Sequence, residues 1–224
     1  NITASTLTSA LTVTTGDATD NSISITTGSA ATSITASGAS DVVTVNATAL
    51  ADNLALTLAG SAAETVTGLR GDLTATGVSG ALNVTTVAVA SGLSIATGSG
   101  SNTITATALT AGQTLTLTGS SAATVTLNAG NLSAGSYTGN LTVTGGTGAN
   151  TITAGNGTNT ITGGGGADIL TGGTGSDTFN FASAVNLGAA ATVAGGAGND
   201  AVPMTAAATL TDASFLNASS VETL

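Results

Sequence analysis

The chain has 224 residues and a net charge of −10, eleven carboxylates against one basic side chain, Arg70. It holds 32 Gly and 47 Thr but no Cys, His, Lys or Trp. That excludes thiol or Ser-His catalysis, disulfides, Cys/His zinc sites and Schiff-base chemistry, and a nucleic-acid surface, which needs a basic stripe.

Aromatic residues are only 2% and hydrophobic residues, mostly Ala, Val, Leu and Ile, are 41%. Small and β-branched side chains suit thin, regularly stacked strands, and the chain is too apolar and too sparsely charged for a typical disordered one. No apolar run reaches the roughly 20 residues of a membrane span. No basic-then-apolar leader opens the chain, and Asn1 is what a processed product or excised segment would show.

Along the chain, apolar residues alternate with Thr or Ser in LTVTT (11–15), SISITT (22–27), LALTL (54–58), LNVTT (82–86), TLTLT (114–118) and NLTVT (140–144). Alternation of this kind predicts half-buried strands. Residues 56–86 align without gaps to 115–145, with 16 of 31 positions identical at an offset of 59. Four nonapeptides then run head to tail: GGTGANTIT (145–153), AGNGTNTIT (154–162), GGGGADILT (163–171) and GGTGSDTFN (172–180). A further copy is GGAGNDAVP (195–203), and weaker ones start at 27, 36, 59, 97 and 118. Each of the four head-to-tail copies has a Gly-rich turn, then Asn or Asp in sixth place, then a large apolar residue in eighth (Ile152, Ile161, Leu170, Phe179). The tail 207–224 is the best place for a short turn of helix.

A nine-residue period of this form has a direct physical reading. Gly permits the tight turn, the following residues alternate in and out as a short strand, and two nonapeptides close one coil. The expected fold is an all-β, parallel β-solenoid or β-roll with little or no helix, held by contacts between neighbouring coils. Eighteen residues per coil set an upper bound of roughly 12 coils. Three segments are expected: degenerate solenoid repeats over 1–144, a regular roll over 145–203 and a C-terminal strand or cap over 204–224.

The run 145–180 resembles the RTX nonapeptide GGxGxDxUx, where U is a large apolar residue, and 163–180 matches it closely. The resemblance implies a calcium-bound parallel β-roll, exported by a one-step bacterial secretion system. It makes Asp168, Asp177 and Asp200 the side-chain ligands by position. Asn150 and Asn159 take the same place in their repeats, and turn carbonyls come from Gly163, Gly164, Gly166, Gly172, Gly173 and Gly175. Calcium, which takes six to eight oxygen ligands, suits such a mixture independently. In a two-sided roll Asp168 is expected above Asn150 and Asp177 above Asn159, one carboxylate per pair. Stacked Asn amides could replace the metal.

Other residues have plainer readings. Asp17, Asp20, Asp41, Asp52, Glu64, Asp72, Asp212 and Glu222 are expected on a solvated surface, with Asp17, Asp20 and Asp41 the foremost exceptions because they lie in turn-like segments. Arg70 beside Asp72 reads as a surface ion pair. Tyr137, Phe179, Phe181 and Phe215 read as core or end-plug residues. Both ends of the chain stop in mid-strand pattern, which suggests a unit that abuts another copy. The expected function is an extracellular structural protein that self-assembles head to tail into a surface layer or matrix fibre, resembling RTX-rich S-layer proteins, with calcium-assisted folding. Its partners would be copies of itself and cell-surface polysaccharide. The alternative is a non-polymerising spacer of a large RTX adhesin. Ice binding is disfavoured by the irregular spacing of the Thr-rich strands, and a polysaccharide-active enzyme by the lone Arg70 and the scarcity of aromatic platforms.

Overall fold

The computed structural model describes residues 1–16, 22–181, 184–189, 192–204, 209 and 211–223. Among these residues, twenty-one strands fall into two wholly parallel sheets. The first holds β1 (Ile2–Thr3), β3 (Ser22–Thr26), β5 (Val42–Asn46), β7 (Ala63–Leu69), β9 (Leu82–Thr86), β11 (Asn102–Thr105), β13 (Ala123–Thr126), β15 (Leu141–Thr144), β17 (Thr160–Thr162) and β19 (Thr178–Asn180). The second holds β2 (Leu11–Thr15), β4 (Thr32–Ala36), β6 (Ala55–Gly60), β8 (Asp72–Val78), β10 (Leu93–Ala96), β12 (Thr114–Thr118), β14 (Asn131–Ser133), β16 (Thr151–Thr153), β18 (Ile169–Thr174), β20 (Thr192–Ala197) and β21 (Ala218–Ser219). From β1 to β20 consecutive strands alternate between the sheets, so the chain winds as a β-solenoid in which each coil adds one strand to each sheet.

The strands form where apolar residues alternate with Thr, because only that pattern buries one side of a thin coil and leaves the other wet. In β12 Leu115 and Leu117 are buried, and in β15 Leu141 and Val143 are. Inward residues lie over one another from coil to coil: Val66, Val84, Ile104, Val125, Val143, Ile161 and Phe179 make one unbroken column. Three steps of that column, Val66 to Val125, account for the 59-residue internal repeat. Outward residues align as well. Thr65, Asn83, Thr103, Thr124, Thr142, Thr160 and Thr178 stand in one column, and Thr85, Thr105, Thr126, Thr144 and Thr162 in the next.

The eighteen-residue coil holds where the nonapeptides run: Ile152 lies over Leu170 and Ile161 over Phe179. Elsewhere coil length varies: Leu56 to Leu73 is 17 residues and Val125 to Val143 is 18, whereas other coils are longer. Ile34 lies over Leu58, and the turn between β5 and β6 buries Leu50 inside the extra length. Sheets of ten and eleven strands result, below the bound that uniform eighteen-residue coils would set. Helix α1 (Ala184–Ala189) is inserted between β19 and β20, where the sequence shows no helical period. A 3-10 turn at Asp212–Phe215 lies in the tail where a helical turn is expected.

Tyr137, Phe179 and Phe181 are buried and Phe215 packs partly against the core. The Tyr137 hydroxyl donates to the Ser121 carbonyl (2.6 Å) and lies 3.1 Å from Thr97 Oγ1. Two expectations about charge are corrected. Arg70 pairs with Asp52 at 3.8 Å, while the Asp72 carboxylate accepts from the Ser94 N–H (2.8 Å). Glu64 is buried, not a surface residue, and Asp41, one of the expected exceptions, is buried too. Asp17 and Asp20, and the Asp212 side chain, lie outside what the structure describes.

Ile104 is fully buried in the core between the two sheets, so its truncation leaves a cavity. Ile104→Ala is expected to lower the unfolding free energy by about 2–5 kcal/mol, whereas Val42→Ala, at a position 45% exposed, shifts it by about 0.5 kcal/mol or less. Urea titration of both variants measures the contrast.

Candidate calcium centre

The Gly-rich turns stack on the two edges of the solenoid. Sixth-place side chains point into the turns: Asn150, Asn159, Asp168, Asp177 and Asp200 are all buried. On one edge the Asn150 N–H donates to Asp168 Oδ1 (2.8 Å). On the other the Asn159 N–H donates to Asp177 Oδ1 (2.8 Å), the Asp177 N–H to Asp200 Oδ1 (2.8 Å) and the Asp200 N–H to Glu222 Oε2 (2.7 Å). Each carboxylate thus spends one oxygen on the backbone of the coil below. Asp168 stands over Asn150 and Asp177 over Asn159.

The second edge continues further than the expectation of one carboxylate per pair. Twenty-three residues separate Asp177 from Asp200, because the segment containing α1 is inserted between them. The insertion keeps the register, and Asp200 still sits directly on Asp177. Glu222 adds another acid to the row from the C-terminal coil, through the Ala201 to Thr223 bridge. It is exposed, as expected of a solvated acid, and no copy of the nonapeptide marks it. Its signal is the alternation that puts it one residue before a bridge partner.

The remaining carboxylate oxygens decide what the turns can hold. Asp177 Oδ2 and Asp200 Oδ2 are buried with no hydrogen-bond partner. A Cβ on Gly172 would collide with Asp177 Oδ2 and with the carbonyl oxygen of Gly195, one coil on. On Gly195 it would collide with Asp200 Oδ2 and the carbonyl oxygen of Ser220. First-place glycine therefore leaves a hollow bounded by one unsatisfied carboxylate oxygen and one carbonyl. Oxygen donors of this kind, with no nitrogen or sulfur, fit calcium. Among the described residues no three acidic side chains converge, so carbonyls must supply most of a coordination shell here.

The other edge fits less well. A Cβ on Gly163 would meet Asp168 Oδ2 at 2.6 Å, but also Leu170 Cδ1 at 3.3 Å, and the Asn186 amide from α1 occupies the Gly164 carbonyl (2.8 Å). Below it, Asn150 Oδ1 accepts from the Gly146 N–H (3.2 Å), an amide where a carboxylate would be needed. Asn159 uses its Nδ2 on the Gly157 carbonyl (2.8 Å) and Asp177 Oδ1 (2.9 Å). Gly164, Gly166 and Gly173 have φ of +97°, +108° and +120°. Gly173 and Gly175 press against the carbonyls of Gly155 and Gly157 in the coil below, an approach a side chain would block.

Charge follows the same geometry. Burial raises the Asp168 carboxyl above its ordinary range, against one backbone hydrogen bond. Burial raises Asp177 too, and the Asp200 charge adds to it, while hydrogen bonds from Asn159 oppose both. A divalent cation in the hollow would relieve the desolvation and the repulsion together.

A family model of the RTX calcium-binding nonapeptide repeat, in four copies, matches residues 144–179. Comparisons with curated proteins and with solved structures gave no match. This segment therefore consists of RTX repeats, which are calcium-binding motifs, and the Asp177 and Asp200 turns are the hollows best built to hold the ion.

Calcium at about a hundred times its dissociation constant is expected to stabilise the chain by about 2.7 kcal/mol, read as a rise in Tm that a chelator reverses. Gly172→Ala and Asp177→Asn should each weaken binding in isothermal titration calorimetry, the first by filling the hollow and the second by removing its charge. Binding unchanged in both variants would place the ion elsewhere.

Proposed function

We propose that this chain is an extracellular structural solenoid, stiffened by calcium, that adds end to end to further coils in a surface layer or matrix fibre. The supporting observation is the open edge at each end of the described sheets: β1, β2 and β21 have a strand neighbour on one side only, and beyond β19 the first sheet continues through the isolated bridges of Ala201 and Thr223. An unpaired parallel edge is a template for another strand. Repeated addition along one axis gives an open filament instead of a closed ring. The next coil comes from a second copy or, in a longer chain, from the following covalent segment.

Calcium supplies the timing. Buried carboxylates with orphaned oxygens oppose folding where calcium is scarce, and binding outside the cell contributes folding free energy. RTX repeat proteins are generally secreted, which accords with this order of events. The reading is non-enzymatic: the family is typically structural, and Arg70, the sole basic side chain, is engaged with Asp52. Cell-surface polysaccharide is a further partner in this proposal, as the anchor of such a layer.

A second reading has one observation in its favour. The Thr-rich strands, irregularly spaced in sequence, lie in register in two adjacent outward columns on one sheet, which is the arrangement a flat ice-binding face needs. Thermal hysteresis at high protein concentration tests it, and its absence removes this reading.

Negative-stain electron microscopy with and without millimolar calcium tests the first. Filaments or sheets that form only with calcium are expected. Dispersed particles in both conditions would instead support the adhesin-spacer reading.

A further inference from the structure

We infer that the coil carrying Glu64 is a proton-operated joint in the solenoid, closed while the Glu64 carboxyl is neutral and loosened when it ionises. The inference is independent of calcium. Glu64 lies on β7 at the inward position between Val43 and Leu82 and has 0% exposure. Neither carboxylate oxygen has a hydrogen-bond partner. A neutral acid tolerates such a place far better than an anion, since an isolated buried charge is strongly disfavoured away from water.

Among the described residues no cation compensates it. β5 and β9, on either side, bring no ionisable residue, and neither does β6. β8 brings Asp72, whose carboxylate is held by the Ser94 N–H. The turn before β5 brings Asp41, another acid, packed against Gly38. Arg70 follows β7 but is 43% exposed and reaches Asp52 on the outside. Burial accordingly pushes the Glu64 carboxyl from 4.5 up to about 7.

The fold does not require this acid. In the internal repeat Glu64 corresponds to Ala123, which fills the same inward position on β13. The backbone is also least regular in this coil: β7 loses register with β9 between Val66 and Leu69, and β6 loses register with β8 between Thr57 and Ala59. An uncompensated acid and both register breaks of the paired strands meet in one coil. At each break the ladder is interrupted, and local opening can start there.

The sign follows from linkage. Glu64 is neutral in both states below about pH 4.5, so the coil is tightest there. Its stability falls as pH rises toward 7 and levels off above, where Glu64 is ionised in both states. Within that window each tenfold drop in proton concentration favours the open coil about tenfold, so the window as a whole gives a change on the order of a hundredfold.

Hydrogen exchange read by mass spectrometry tests the joint on the full chain, in constant saturating calcium, at about pH 5 and about pH 8 and corrected for intrinsic rates. The internal control is the matching coil around Ala123. Protection over 63–69 is expected to fall on the order of a hundredfold at the higher pH while that over 122–128 holds. Glu64→Gln and Glu64→Ala should both abolish the difference, and the alanine variant should fold, since its repeat mate does. Equal protection at the two pH values in the natural chain, or a difference that persists in either variant, would overturn the inference.

Discussion

The structure depends on the parallel hydrogen-bond ladder between coils. Once that ladder fixes register, every position in a coil becomes a column, and each column must be chemically coherent along its length. The sixth-place column shows this most directly. It runs through Ile23, Val43, Glu64, Leu82, Asn102, Ala123 and Leu141, then Asn159, Asp177, Asp200 and Glu222. One backbone position is a core site in the first half and an oxygen site in the last quarter. The side chain differs, and so do the turns beside it.

Those turns explain the change of character. In the last quarter first-place Gly163, Gly172 and Gly195 leave a hollow at Asp168, Asp177 and Asp200, and each of these carboxylates has a backbone N–H below it to hold one oxygen in place. Glu64 has a longer side chain and no such donor, so the same column cannot serve it in the same way. Asn102 stands between the two cases. Its amide donates to the Gly100 carbonyl (2.9 Å), which lets a polar group sit in the column without charge. Apolar filling from β3 to β15 makes the first part self-supporting, while the acidic edge beyond it needs an external partner to offset its charge.

Much of this is legible in sequence. The strands at 11–15, 82–86 and 114–118 follow from alternation alone, and the vertical pairs Asp168 over Asn150 and Asp177 over Asn159 follow from the nine-residue period. The burial of Glu64 is written there too: it lies two residues before Val66, so it shares that residue's inward parity, as Asp41 shares the parity of Val43. Charge favours the surface for both acids, and strand parity overrides it. Other features depend on distance in space. Nothing local in the sequence ties Arg70 to Asp52, and a six-residue helix such as α1 is too short to show a period. The stacking of Asp200 on Asp177 depends on an insertion that loops out without costing register, which no local pattern announces.

Buried acids in a stacked column have two ways to be neutralised, and this chain uses positions suited to each. In the hollows of Gly172 and Gly195 a cation can do it, and that requires the carboxylates to be deprotonated, so metal binding strengthens as pH rises through the carboxylate range. At Glu64 only a proton can do it, and that coil weakens as pH rises toward 7. The two responses have opposite sign, so the solenoid is tight along its whole length only in a window, above the pH at which calcium is displaced and below that at which Glu64 ionises. Outside it one segment loosens while the other holds. A repeat array makes this separation possible, because coils far apart share only their neighbours and each can open without the rest.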